Sequence, residues 1–102
     1  MSSVHTSAEN VWRLLRGDTL VGTITVDDGD FPWLAGRFAA EPAFEGVRPW
    51  FEELLAVLAA DDFDRFDAAY DPIAEALTLV SPTGPVGEFL LYIEGDEARF
   101  RC

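Results

Sequence analysis

Lysine is absent from this sequence: all seven basic side chains are arginines, and with 19 Asp and Glu against them the formal net charge is -12. A field of that sign repels phosphate, so nucleic acid and anionic membrane surfaces are disfavoured as partners and a basic protein is favoured. The other reactive groups are scarce too. The one histidine, His5, sits in a polar opening stretch, and the one cysteine, Cys102, is the last residue. Without lysine, and with His and Cys at opposite ends, the chain lacks the pairing of a nucleophile with a base that covalent catalysis needs. A single cysteine excludes an internal disulfide and a cysteine zinc site, and its use suits a reducing cytoplasm, the compartment expected here. No apolar run approaches the ~20 residues that span a bilayer, and MSSVHTSAEN has no secretory core. The glycines are dispersed rather than gathered before a helix, so no phosphate-cradling loop is read, and no cofactor or metal is expected.

Apolar side chains, by contrast, are plentiful. Of 102 residues 49% are hydrophobic and 13% aromatic, enough for one core, and the reading is a flexible segment over residues 1–10 followed by a single α+β domain over 11–102. VWRLLR (11–16), Gly17-Asp18 and TLVGTITV (19–26) read as a hairpin whose two-residue loop opens on glycine, the type II′ pattern. In its second strand Leu20, Gly22, Ile24 and Val26 share one face, and Thr19, Val21, Thr23 and Thr25 the other. DDGDFP (27–32) turns the chain into WLAGRFAA (33–40), with Leu34, Gly36 and Phe38 on one side and Trp33, Ala35 and Arg37 on the other.

Near Val47 the apolar period lengthens to 3.6, with Val47, Trp50, Phe51, Leu54, Leu55 and Leu58 on one helical stripe and Pro49 fixing the first turn. A second helix starts at DDFDRFDAAY, capped by Asp61 or Asp62, with Phe63, Phe66, Tyr70 and Ile73 on its stripe; Asp71-Pro72 ends or kinks it. EALTLVS, a PTGP turn, VGEFLLYIE, Gly95-Asp96 and EARFRC complete the chain as strands. The expected fold is α+β: an antiparallel sheet of about six strands in βββααβββ order, with two helices packed on one face.

For Asp27, Asp28 and Asp30 the spacing does not match a calcium loop, and a solvated turn explains them better; helix capping does the same for Asp61, Asp62, Asp64 and Asp67. Arg16-Gly17-Asp18 is a strand end and hairpin turn rather than an adhesion tripeptide. No pair of carboxylates is marked out as acid and base by spacing alone. Aromatics give the better lead, because Trp12, Trp33, Trp50, Phe31, Phe44 and Phe51 exceed what a small core needs, and an exposed ring beside acids suits a protein interface. Asp28, Asp30, Trp33 and Arg37 form the candidate contact surface. Three readings follow: a non-enzymatic acidic protein that binds a basic protein, in a regulatory or toxin-neutralising role; a small-molecule binding domain or carboxylate-based enzyme with a pocket between helices and sheet; and a homodimer paired through an edge strand such as EARFRC.

GDTLVGTITV, DFPWLAGRF, VRPWFEELL and EFLLYIEGDEARFRC together resemble a family of small bacterial α+β proteins to which no activity is attached, over about residues 11–102. The resemblance implies a self-contained domain and carries over no catalytic residue.

Overall fold

A computed structural model of the chain describes residues 11–30 and 33–101, the backbone alone at 28–30. The opening segment 1–10, expected to be flexible, lies outside the described residues, as do Phe31, Pro32 and Cys102. The elements are β1 (Val11–Arg16), β2 (Thr19–Asp30), β3 (Trp33–Ala40), α1 (Arg48–Ala59), α2 (Phe66–Ala76), β4 (Leu77–Ser81), β5 (Gly84–Pro85), β6 (Leu90–Glu94) and β7 (Glu97–Arg101), with short 3₁₀ turns at Pro42–Gly46 and Phe63–Arg65. The fold is α+β with one antiparallel sheet and two helices, but the sheet has seven strands rather than six. The extra strand is built from the PTGP turn: Pro85 pairs with Val80, and the Ser81 hydroxyl donates to the Gly84 carbonyl at 2.9 Å.

Strand order is β5-β4-β1-β2-β3-β7-β6, so the last four strands divide between the two flanks of the β1–β3 meander. That division forces curvature. In a flat sheet six steps of about 4.8 Å would hold β5 and β6 about 29 Å apart. Residues 86–89, all that joins them, reach at most about 18 Å from Pro85 to Leu90 when fully extended. The sheet therefore curls into a half-barrel. Trp12 on β1 and Phe100 on β7, three strands along, meet with ring centroids 4.7 Å apart across the concave face.

Both helices pack into that concave face. α1 contributes Phe51, Leu54 and Val57, α2 contributes Tyr70 and Ile73, and the sheet answers with Leu14, Ile24, Phe38, Leu79, Leu91, Ile93 and Phe100, all buried. Phe44, in the turn before α1, sets its ring against both Phe38 (4.9 Å) and Phe51 (5.9 Å) and ties helix to sheet.

Both Gly-Asp loops have positive φ at glycine, +62° at Gly17 and +63° at Gly95, whereas neither Asp18 nor Asp96 does, which is the type II′ pattern. Two β-bulges depart from simple alternation. β1 pairs Leu14 with Gly22 and Leu15 with Leu20, leaving Val21 unpaired between them. The bulge reverses the faces there: Val21 is buried with Ile24, and Leu20 shares the outer face with Leu15. The second bulge, at Asp27, lets β2 continue to Asp30, so Asp28 and Asp30 pair with Ala35 and Trp33 rather than forming the turn expected of them.

The helical region also differs from expectation at one end. α1 begins at Arg48 with Pro49 in its first turn, as the sequence indicates. α2 begins later, at Phe66, after Asp61 has taken a left-handed φ of 55° and Phe63–Arg65 have formed a 3₁₀ turn. Neither aspartate makes the expected capping bond: Asp62, at the cap of the 3₁₀ turn, has no side-chain hydrogen bond to the backbone. α2 then runs through Pro72 to Ala76, where β4 takes over at once.

Candidate functional site

The convex face of the sheet carries no helix, and it is where Trp33 and Arg37 lie. β3 pairs with β7 and β7 with β6, so outward-facing residues of the three strands become neighbours. Trp33 is half-buried, stacked on Tyr92 with centroids 5.6 Å apart and planes at 22°, and the Arg101 guanidinium lies 5.6 Å over its ring. Arg37 stands apart from that group and faces Asp96 at 3.8 Å, with both side chains largely exposed. Asp28 and Asp30 occupy β2 opposite Ala35 and Trp33, but their side chains lie outside the described residues. The structure thus joins Trp33 to Tyr92 and Arg101 rather than to Arg37. The signal for Arg101 was present in β7, where Arg99 and Arg101 alternate with buried Ala98 and Phe100. What the sequence withheld was the strand order that sets β7 beside β3. The same order corrects one expectation: β7 (Glu97–Arg101) lies between β3 and β6 and is not the edge strand that the dimer reading took as its example; the edges of the sheet are β5 and β6.

The opposite, helical side of the molecule is acidic. Ten of the 19 acids fall between Glu41 and Glu75, with only Arg48 and Arg65 among them. Arg48 binds Glu45 at 2.6 Å, and this hydrogen bond, more than the charge itself, holds the Glu45 carboxyl below its ordinary value. Arg65 reaches Glu53 at 3.1 Å and Asp62 at 3.9 Å. Asp61, Asp64, Asp67, Asp71 and Glu75 have no arginine within 4.0 Å among the described residues.

At the corner between α1 and α2 this surface carries Phe63, 71% exposed and the only large hydrophobic so exposed among the described residues. Its spacing in the sequence put it on the buried stripe with Phe66 and Tyr70. The 3₁₀ turn rotates it off that stripe, and it is Phe66 that stacks on Tyr70, at 6.0 Å. Of the surplus aromatics of the sequence, Phe44 and Phe51 are buried, Trp12 and Trp50 lie half-buried against the core, and Phe31 lies outside the described residues.

A third feature lies at the seam where the sheet edges approach. Tyr70 is 7% exposed; its hydroxyl donates to the Phe89 carbonyl at 2.7 Å and accepts from the Leu91 N–H at 3.1 Å. β6 is an edge strand, so one hydroxyl on α2 satisfies two backbone groups that face away from β7. Burial drives the Tyr70 pKa well above its ordinary value, partly opposed by the Leu91 hydrogen bond. Beside this bridge opens a cleft of about 660 Å³ lined by Tyr70, Ala74, Gly87, Glu88, Phe89, Leu90 and Arg101.

Every described Asp and Glu side chain is exposed apart from Asp62, which is half-buried, so the facing buried acids that a carboxylate-based enzyme would use are not among the described residues. Among the described residues no helix is long and apolar enough to cross a membrane. No protein-family model, curated protein or solved structure matches the chain.

Proposed function

We propose that the protein is a non-enzymatic interaction module that binds a basic protein through its acidic helical side, with Phe63 as the apolar anchor. The observation that carries this reading is the placement of Phe63: an exposed ring set in the run Asp61-Asp62-Phe63-Asp64, within the helical segment 41–75, where acids outnumber arginines ten to two. The two parts act differently. Burying one Phe side chain against a partner contributes roughly 1.5–3 kcal/mol. The surrounding carboxylates steer a cationic surface toward that ring and mostly raise the association rate, which makes binding weaken with salt. A regulatory or toxin-neutralising role suits such a module, since rapid capture of a basic protein is what its charge favours. Trp33 and Arg37, on the convex face, remain a second candidate contact of the same module.

A photo-crosslinking residue placed at position 63 tests the reading in the native cell, with the exposed Thr78 of β4 as the control position. A discrete adduct with a basic protein, formed at position 63, absent at 78 and reduced by high salt, is the expected result. Adducts that are the same from both positions, or that persist unchanged in high salt, would contradict it.

A further inference from the structure

We propose that the cleft at the seam of the half-barrel binds a small monocarboxylic acid with an apolar body. The inference stands apart from the acidic corner and does not rest on it. At about 660 Å³ the cleft falls within the volume of small-molecule sites, which run roughly 300–1,000 Å³. Its walls are largely apolar: Ala74 on α2, then Phe89 and Leu90 at the start of β6. Tyr70 adds its ring but little polar demand, because its hydroxyl is already committed to Phe89 and Leu91. That pair of bonds also fixes the wall, since it joins α2 to the edge strand at the point where the cleft opens.

The single cation of the lining is Arg101. Its guanidinium is held over the Trp33 ring at 5.6 Å. An apolar trough whose one basic lining residue is an arginine is complementary to an amphiphile with one negative charge, because Arg presents a planar fork that matches a carboxylate. Glu88, the one acid of the lining, sets the limit on charge: it disfavours a second anionic group, and so selects a monocarboxylate over a dicarboxylate or a phosphate.

Decanoate, below its micellar concentration, is a suitable probe, titrated into ¹⁵N-labelled protein with 1-decanol and decyltrimethylammonium in parallel. Saturable shifts of the Ala74, Gly87, Phe89 and Leu90 amides are expected with decanoate, and at least tenfold weaker binding with the alcohol and the cation. Arg101→Gln should weaken decanoate at least tenfold while leaving the remaining amide spectrum unchanged. Gly87→Leu should block it, because a side chain at Gly87 meets no atom within 4 Å and would enter open space without backbone strain. Equal binding of decanoate and decanol, no effect of Arg101→Gln, no effect of Gly87→Leu, or shifts that never saturate would each overturn the proposal. Phe63→Ser should bind decanoate as the wild type does, which separates this site from the acidic corner.

Discussion

Tyr70→Phe should be the most destabilising conservative substitution in α2. It keeps the ring and nearly all the volume and removes one hydroxyl, so packing against the core is unchanged and the effect is that of two hydrogen bonds. The Leu91 N–H, which is buried, loses its only acceptor; the Phe89 carbonyl, less buried, can turn to water. An unsatisfied buried donor costs about 1–3 kcal/mol and the second bond adds about 1 kcal/mol, offset in part because no hydroxyl need then be desolvated. The sum is roughly 2–3 kcal/mol, a large part of the ~5–15 kcal/mol that holds a domain of this kind together. For a chain of this size each kcal/mol moves the melting temperature by about 4–8 °C, so a fall of roughly 8–24 °C is expected. Urea unfolding followed by far-UV circular dichroism measures it, with Tyr92→Phe on the convex face as a control that should change stability by less than about 0.5 kcal/mol.

The alkaline limb gives an independent reading. Folding raises the Tyr70 pKa above its ordinary 10.0, so above pH 10 the unfolded chain releases a proton that the folded chain keeps. The stability contributed by Tyr70 is therefore intact below pH 10 and is lost as the pH climbs from there toward the folded value. Tyr70→Phe should flatten that decline. A Tyr70→Phe protein as stable as the wild type, with the same alkaline slope, would refute the bridging role.

Gly36→Ala should cost more than about 3 kcal/mol, because its Cβ would collide with the Thr25 carbonyl and lie 2.8 Å from the Val26 Cα, both backbone atoms of the bulged β2 that cannot swing aside; thermal melts decide it. Pro72→Ala should stabilise the protein by about 1 kcal/mol or more, since Pro72 stands inside α2 without an N–H to give, and a loss of stability in urea would show that its ring matters more than the missing bond. Arg37→Gln should change stability by less than about 0.5 kcal/mol in the same titrations, because the Arg37–Asp96 pair is long and exposed.

Local features of the fold were legible in the sequence where one principle acted alone. The type II′ loops at Gly17 and Gly95, the start of α1 at Pro49 and the alternation of β7 follow from residue chemistry and periodicity. Where two principles compete, the pattern misleads. Val21 was assigned to the wrong face because a bulge adds a residue without a compositional mark, and α2 passes Pro72 because Tyr70 and Ile73, buried on either side of it, hold the helix in place. Phe63 obeyed the helical period yet lies before the helix, so its exposure was hidden by the spacing that suggested burial. The sites were legible least. The alternation of β3 left open which way the Trp33 face looks, its neighbours Tyr92 and Arg101 come from strands some 60 residues away, and the cleft exists only because the sheet curls until its two edges approach.

The central claim, that an acidic corner anchored by Phe63 binds a basic protein, is tested most directly by calorimetric titration of the partner captured at position 63, at about 50 and about 300 mM salt. Phe63→Ser should weaken binding roughly tenfold or more at both salts, as loss of one buried ring requires. The wild type should weaken steeply with salt, and Asp64→Asn with Asp67→Asn should flatten that dependence. An affinity indifferent both to salt and to Phe63→Ser would contradict the account.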